Sequence, residues 1–224
     1  MQRPETGDSQ RPETDPEIGD EDDNYYPAPV PFPLIVILEG ALAPVALILG
    51  AFLDQHPLSE FSWTRDALSH GALATLPMLA VLWITIRWPY GPFRRIKEFF
   101  DYELRPALAD ARWHDLALLS LAAGLGEEML FRGVIQGAAV DWFGPVGGVV
   151  AASVLFGLLH PVSPAYVVLA SLLGAFLGTI LLREGNLLTV VIAHSLYDFI
   201  ALIILLRPRA DEANKADERL RIDG

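Results

Sequence analysis

The sequence predicts an all-α fold, a polytopic bundle of about six transmembrane helices behind a disordered acidic N-terminal tail. Three observations lead there. Hydrophobic residues make up 52% of the 224 residues and mean hydropathy is +0.36, beyond the range of an ordinary soluble domain. The apolar residues fall into runs close to the roughly 20 residues that cross a bilayer. The formal charge of −12 lies mostly outside those runs, with nine acids against two bases in residues 1–26.

Residues 1–33 read as the disordered tail. They are acidic and proline-rich, and QRPET occurs at both 2–6 and 10–14. Such a segment cannot bury enough apolar surface to offset its ordering entropy. An acidic start also lacks the basic region of a signal peptide. The membrane domain is expected over residues 34–206. Its apolar runs are 34–53, which contains Glu39; 67–88, which contains His70; 115–136; 145–160; 165–182; and 187–206. Residues 207–224 read as a C-terminal tail. Gly174 and Gly178 have GxxxG spacing, expected to serve packing within the bundle.

Basic residues set the expected orientation. Arg87, Arg94, Arg95, Lys97, Arg105 and Arg112 lie in one connection, and Arg207, Arg209, Lys215, Arg219 and Arg221 in the C-terminal tail. Six spans put both on the side of the N-terminus, which predicts cytoplasmic termini. Residues 93–108 are amphipathic and suit either a membrane-surface helix or a solvated one. The chain has no cysteine, which excludes disulfides, thiolate metal sites and cysteine nucleophiles.

Charges inside a bilayer are costly, at roughly 2.5–3.5 kcal/mol each on insertion scales. Even so, Glu127, Glu128 and Arg132 share the third run, His160 ends the fourth, and His194 and Asp198 lie in the sixth. Neighbouring Glu127 and Glu128 point about 100° apart on a helix and cannot do one job. Glu128 and Arg132 are an i,i+4 pair in the favourable order, so Arg132 is expected to hold Glu128 and leave Glu127 free to act on a water. Pro161 and Pro164 stop the helix after His160, beside irregular backbone that membranes tolerate only around protein or wet cavities. His194 and Asp198, also i,i+4, suit a metal pair, an oriented acid–base histidine or an oxyanion-stabilising pair. Tyr197 beside them could donate a hydrogen bond. HExxH and GxSG are absent, Ser120, Ser153 and Ser171 sit singly on apolar helices, and Asp198 alone cannot form an aspartate pair. Glu39 and His70 form no second motif, and Glu39 reads as structural or protonated rather than catalytic.

Three motifs carry a family resemblance. Glu127-Glu-Met-Leu-Phe-Arg132-Gly resembles an EExxxR box, Phe156-Gly-Leu-Leu-His160 an FxxxH motif, and His194-Ser-Leu-Tyr-Asp198 an HxxxN/D motif. In this order and spacing, over residues 115–205, they resemble the CPBP family of intramembrane proteases. That family includes type II CAAX prenyl endopeptidases and bacterial bacteriocin-processing or immunity proteins. The resemblance implies cleavage of a peptide bond in or near a membrane, expected to be a bacterial plasma membrane. Glu127 and His160 would activate water, His194 and Asp198 would stabilise the oxyanion, and Glu128 and Arg132 would complete the site. An ionised Asp198 cannot donate to an oxyanion as Asn could, so it must be protonated, orient His194 or bind metal. The favoured expectation has no cofactor; the alternative is a divalent metal such as zinc held by His160, His194 and a carboxylate. Expected partners are membrane lipid and a peptide or protein substrate, lipid-modified or not, and no nucleic acid; the sequence leaves oligomeric state open. Two other functions compete: a non-catalytic interaction or immunity protein on the same scaffold, and a proton-relaying transporter.

Overall fold

A computed structural model describes residues 30–207, and among these every regular element is helical. The expected tail lies outside the described residues except for positions 30–33, and the C-terminal tail except for Arg207. Helix α1 is Phe32–Leu53, entered through Pro33 in its first turn, so it starts two residues before the apolar run. Asp54, in a left-handed conformation, ends it, and a 3₁₀ turn at Pro57–Glu60 follows. Thr64 caps α2 (Arg65–Arg87) by accepting from the Ala67 amide.

The amphipathic segment forms α3 (residues 93–107), with π-helical turns at Phe100–Leu104. It is more than a solvated helix. Ile96 is buried, and the Arg105 guanidinium donates to the carbonyls of Leu205 and Arg207 at the end of the last helix. Those carbonyls have no intrahelical partner, so the arginine ties α3 to the bundle.

The third and fourth apolar runs form one helical stretch of 46 residues, Trp113–Leu158. Left straight it would extend about 69 Å, twice the bilayer core. Gly144, at φ 73° and ψ 174°, breaks it, and Pro145 starts a new arm. The break reverses the chain. A Cβ on Gly148 would strike the Val140 backbone, and the rings of Phe131 and Phe156 meet edge to face at 5.0 Å. The stretch is therefore a helical hairpin of α4 (residues 113–143) and α5 (residues 145–158). With α6 (Pro164–Glu184) and α7 (Leu187–Leu205), five continuous helices long and apolar enough to span become six spans once the hairpin is divided.

Ser163 and Asn186 cap α6 and α7 through their side chains, and Gly185 ends α6 in the left-handed region at φ 59°. Large apolar side chains such as Ile37, Phe52, Leu73 and Leu172 point outwards, and polar ones point inwards. This reversal of the soluble pattern, on helices of this length, makes the chain an integral membrane protein.

Small residues set the helix approaches. A Cβ on Gly71 would meet the Thr189 carbonyl, bringing α2 onto α7. Gly174 and Gly178 open α6 to the side chains of Arg132 and Gln136 on α4, so the GxxxG pair does serve packing within the bundle. The Gln136 amide donates to the Gly178 carbonyl at 3.0 Å.

Gly144 and Gly40 both have empty space where a Cβ would go, but only Gly144 has a backbone reserved for glycine. Gly144→Ala should therefore lower stability by about 1–3 kcal/mol, while Gly40→Ala in mid-helix should be neutral or stabilising by about 1 kcal/mol. Thermal melting in detergent checks both.

Candidate active site

The site begins with two glycines on α4. A Cβ on Gly124 would collide with Ser195 of α7, and one on Gly126 with the Glu39 carbonyl of α1. Lacking both, α4 lets α7 and α1 close in on its two sides immediately before Glu127. From Glu128 to Gln136 the helix widens into π-helical turns, a form common at functional sites. The two glutamates then diverge, as their neighbouring positions require.

Glu128 is fully buried. Its Oε2 lies 3.2 Å from Nε of Arg132, the expected i,i+4 pair, and its Oε1 accepts from Nδ1 of His194 at 2.7 Å. The second contact joins α4 to α7 across 66 positions and was not legible in the sequence. Arg132 is 2% exposed, with its Cζ 4.4 Å from the centroid of Phe156. Neither of its terminal nitrogens has a protein partner. The ring face beneath the guanidinium offsets part of that desolvation.

Glu127 faces the other way. Its Oε1 is 3.8 Å from Nε2 of His160, and its Oε2 is 3.7 Å from Nε2 of His194. Asp198 Oδ2 is 3.4 Å from that same His194 nitrogen. All six residues picked out in the sequence therefore meet at one place. The gaps around Glu127 exceed a hydrogen bond and suit a bridging water.

Hydrogen bonds fix the histidine tautomers. His160 Nδ1 lies 2.7 Å from the Phe156 carbonyl. A carbonyl only accepts, so Nδ1 carries hydrogen, and Nε2 of the neutral ring turns its lone pair towards Glu127. His194 Nδ1 likewise donates to Glu128, which leaves Nε2 between Glu127 and Asp198. The buried Glu128–Arg132 side is sealed, while His160 and Asp198 are half-buried and open onto a cavity of about 340 Å³.

That cavity is mostly apolar, walled by Met78, Leu82, Phe99, Phe100, Leu119 and Leu173. The side chains of Phe99, Phe100 and Leu104 bring α3 over it. Sequence reasoning missed three polar residues here. Ser120 lines the wall seven positions before Glu127, its hydroxyl buried without a partner. Tyr166 joins it, on no motif. Glu39, read as structural, lines the cavity as well. Tyr197, noted as a donor, also faces it. His70 does not; it pairs with Glu184 at 2.9 Å elsewhere on the bundle.

Among the described residues, no three His, Asp or Glu side chains are grouped to hold a metal.

Removing Arg132 would leave the buried Glu128 with His194 alone as a partner and no guanidinium to balance its charge. Arg132→Met should cost about 3–5 kcal/mol, and adding Glu128→Gln should recover part of the loss. Yield of monodisperse protein and its melting temperature measure both.

No curated protein and no solved structure matches the chain significantly. Residues 110–200, which carry all three motifs, match the family described as Type II CAAX prenyl endopeptidase Rce1-like, a protease family. Over that segment the chain is similar to a family of intramembrane proteases.

Proposed function

We propose that the protein is an endopeptidase that cuts a membrane-associated peptide or protein with a water activated by Glu127 and His160. One observation carries the reading: Glu127 stands 3.7–3.8 Å from two imidazole nitrogens, on the open side of a site whose other side is sealed by Glu128 and Arg132. That spacing leaves room for a water among general base, second base and oxyanion partner.

In this mechanism the water sits between Glu127 and His160 Nε2. Glu127 takes its proton as the oxygen attacks the scissile carbonyl carbon. The C–O bond forms, and the carbonyl π electrons move onto the oxygen. That oxyanion lies against His194 Nε2, whose ring is held from behind by Glu128. Asp198, which cannot donate when ionised, acts by holding a proton on Nε2. The intermediate collapses, the C–N bond breaks, and the proton on Glu127 passes to the leaving amine. No step passes through a metal. A zinc bound by His160, His194 and a carboxylate would need these side chains to draw together first.

The termini are assigned to the cytoplasmic side of a bacterial plasma membrane, because the basic residues of 87–112 and 207–221 then lie inside. The substrate would approach from that side, past α3, and the apolar wall suits a lipid-modified or otherwise apolar segment.

Glu127→Gln keeps shape and removes the base. It should reduce cleavage of membrane-tethered reporter peptides in proteoliposomes by at least about 10²–10⁴-fold, with insertion and melting temperature retained. Full activity in that variant would sink the proposal. Chelation followed by dialysis should leave cleavage intact; loss restored by zinc would overturn the metal-free mechanism.

A further inference from the structure

Glu39 is the one acid of α1 within the membrane and belongs to none of the motifs. A helix buries such a group at a cost unless something across the bundle answers it. Two geometric facts say what does. The Glu39 backbone carbonyl occupies the space where a Gly126 side chain would stand, so α1 is pressed against α4 one residue before Glu127. The Glu39 side chain then opens into the same cavity as Glu127, His194 and Asp198. Both carboxyl groups thus enter one cavity from helices in close backbone approach.

From this we infer that Glu39 is a positioning residue for the proposed cleavage, holding the Glu127 carboxyl in line with the water site from the α1 side of the cavity. The inference rests on the endopeptidase reading. Glu127 needs such a hold. Neither His160 nor His194 is within hydrogen-bond distance of it, at 3.8 and 3.7 Å. Glu128, its neighbour in sequence, is turned away to Arg132 and His194. Glu39, on the helix packed against Gly126, is placed to supply the contact that the motif residues do not. A hydrogen bond between two carboxyls needs one shared proton, and the side that donates can be replaced by an amide. Glu39→Gln can therefore take over the donor role, and Glu39→Leu cannot. A base displaced by about 1 Å can cost about 10²-fold in rate.

The test compares the wild type, Glu39→Gln and Glu39→Leu as full-length protein in proteoliposomes with the same reporter peptides. Glu39→Leu should lower kcat about 10–100-fold with KM within about twofold, and Glu39→Gln should recover kcat to within about fivefold of wild type. Detergent melting supplies a readout independent of activity. If the carboxyls touch, the melting shifts of Glu39→Leu and Glu127→Leu are non-additive in the double variant. An active wild type with unchanged kcat in Glu39→Leu, equal losses in Gln and Leu variants, or additive melting shifts would each overturn the role of Glu39 alone. A wild type inert on every reporter would remove the endopeptidase reading and this inference with it, while non-additive melting would still report the contact.

Discussion

The structure depends on how one carboxylate, Glu128, is satisfied at the centre of the bundle. It is fully buried, with Arg132 at 3.2 Å on one oxygen and His194 at 2.7 Å on the other. An unpaired carboxylate at that depth would cost several kcal/mol, so the helices bearing its partners must stay where they are. Arg132 is on the same helix, but its guanidinium needs the Phe156 ring of α5 and the gap left by Gly174 on α6. His194 brings α7. A single buried charge thus fixes the relative placement of four helices, and the residues that do chemistry are mounted on the result.

Lipid gives helices little hydrophobic reason to associate with one another, so close backbone approach and polar contacts must do it. Here the two are arranged together. Gly124 and Gly126 admit α7 and α1 on either side of the residue that precedes the glutamates, and Gly174 and Gly178 make room for Arg132 and Gln136. The Gly144 hairpin returns the chain so that α5, only 14 residues long, brings His160 beside Glu127. That short arm places an imidazole 3.8 Å from the base.

Much of this was legible from residues alone. Apolar runs located the spans to within two residues, because hydropathy over 20 positions is a strong signal, except that the third run stops seven residues short of the end of α4. The i,i+4 rule found Glu128–Arg132 and His194–Asp198, because helix geometry is local. What escaped was every contact between helices. His194 with Glu128, the Glu39 carbonyl against Gly126, and Arg132 over Phe156 join positions far apart in the chain, and no periodicity reports them. Glu39 is the clearest instance. A lone acid in an apolar run looks like an isolated cost, and only the glycine opposite it reveals a destination. Nothing local in the sequence marks Gly126 as a docking point, because what it admits is a carbonyl 87 positions away.

The division of labour between the two glutamates follows from these constraints. Both lie near His194, at opposite ring nitrogens. Glu128, which accepts from Nδ1 and pairs with Arg132, is fully buried and turned away from the cavity. The other is left with gaps of 3.7 and 3.8 Å to the imidazoles and a cavity in front of it. A base must be free on the side where it works and restrained on the others. Glu128 cannot supply that restraint, because its own bonds turn it away. The restraint must come from outside the motif, and α1, drawn in at Gly126, is the helix in position to give it.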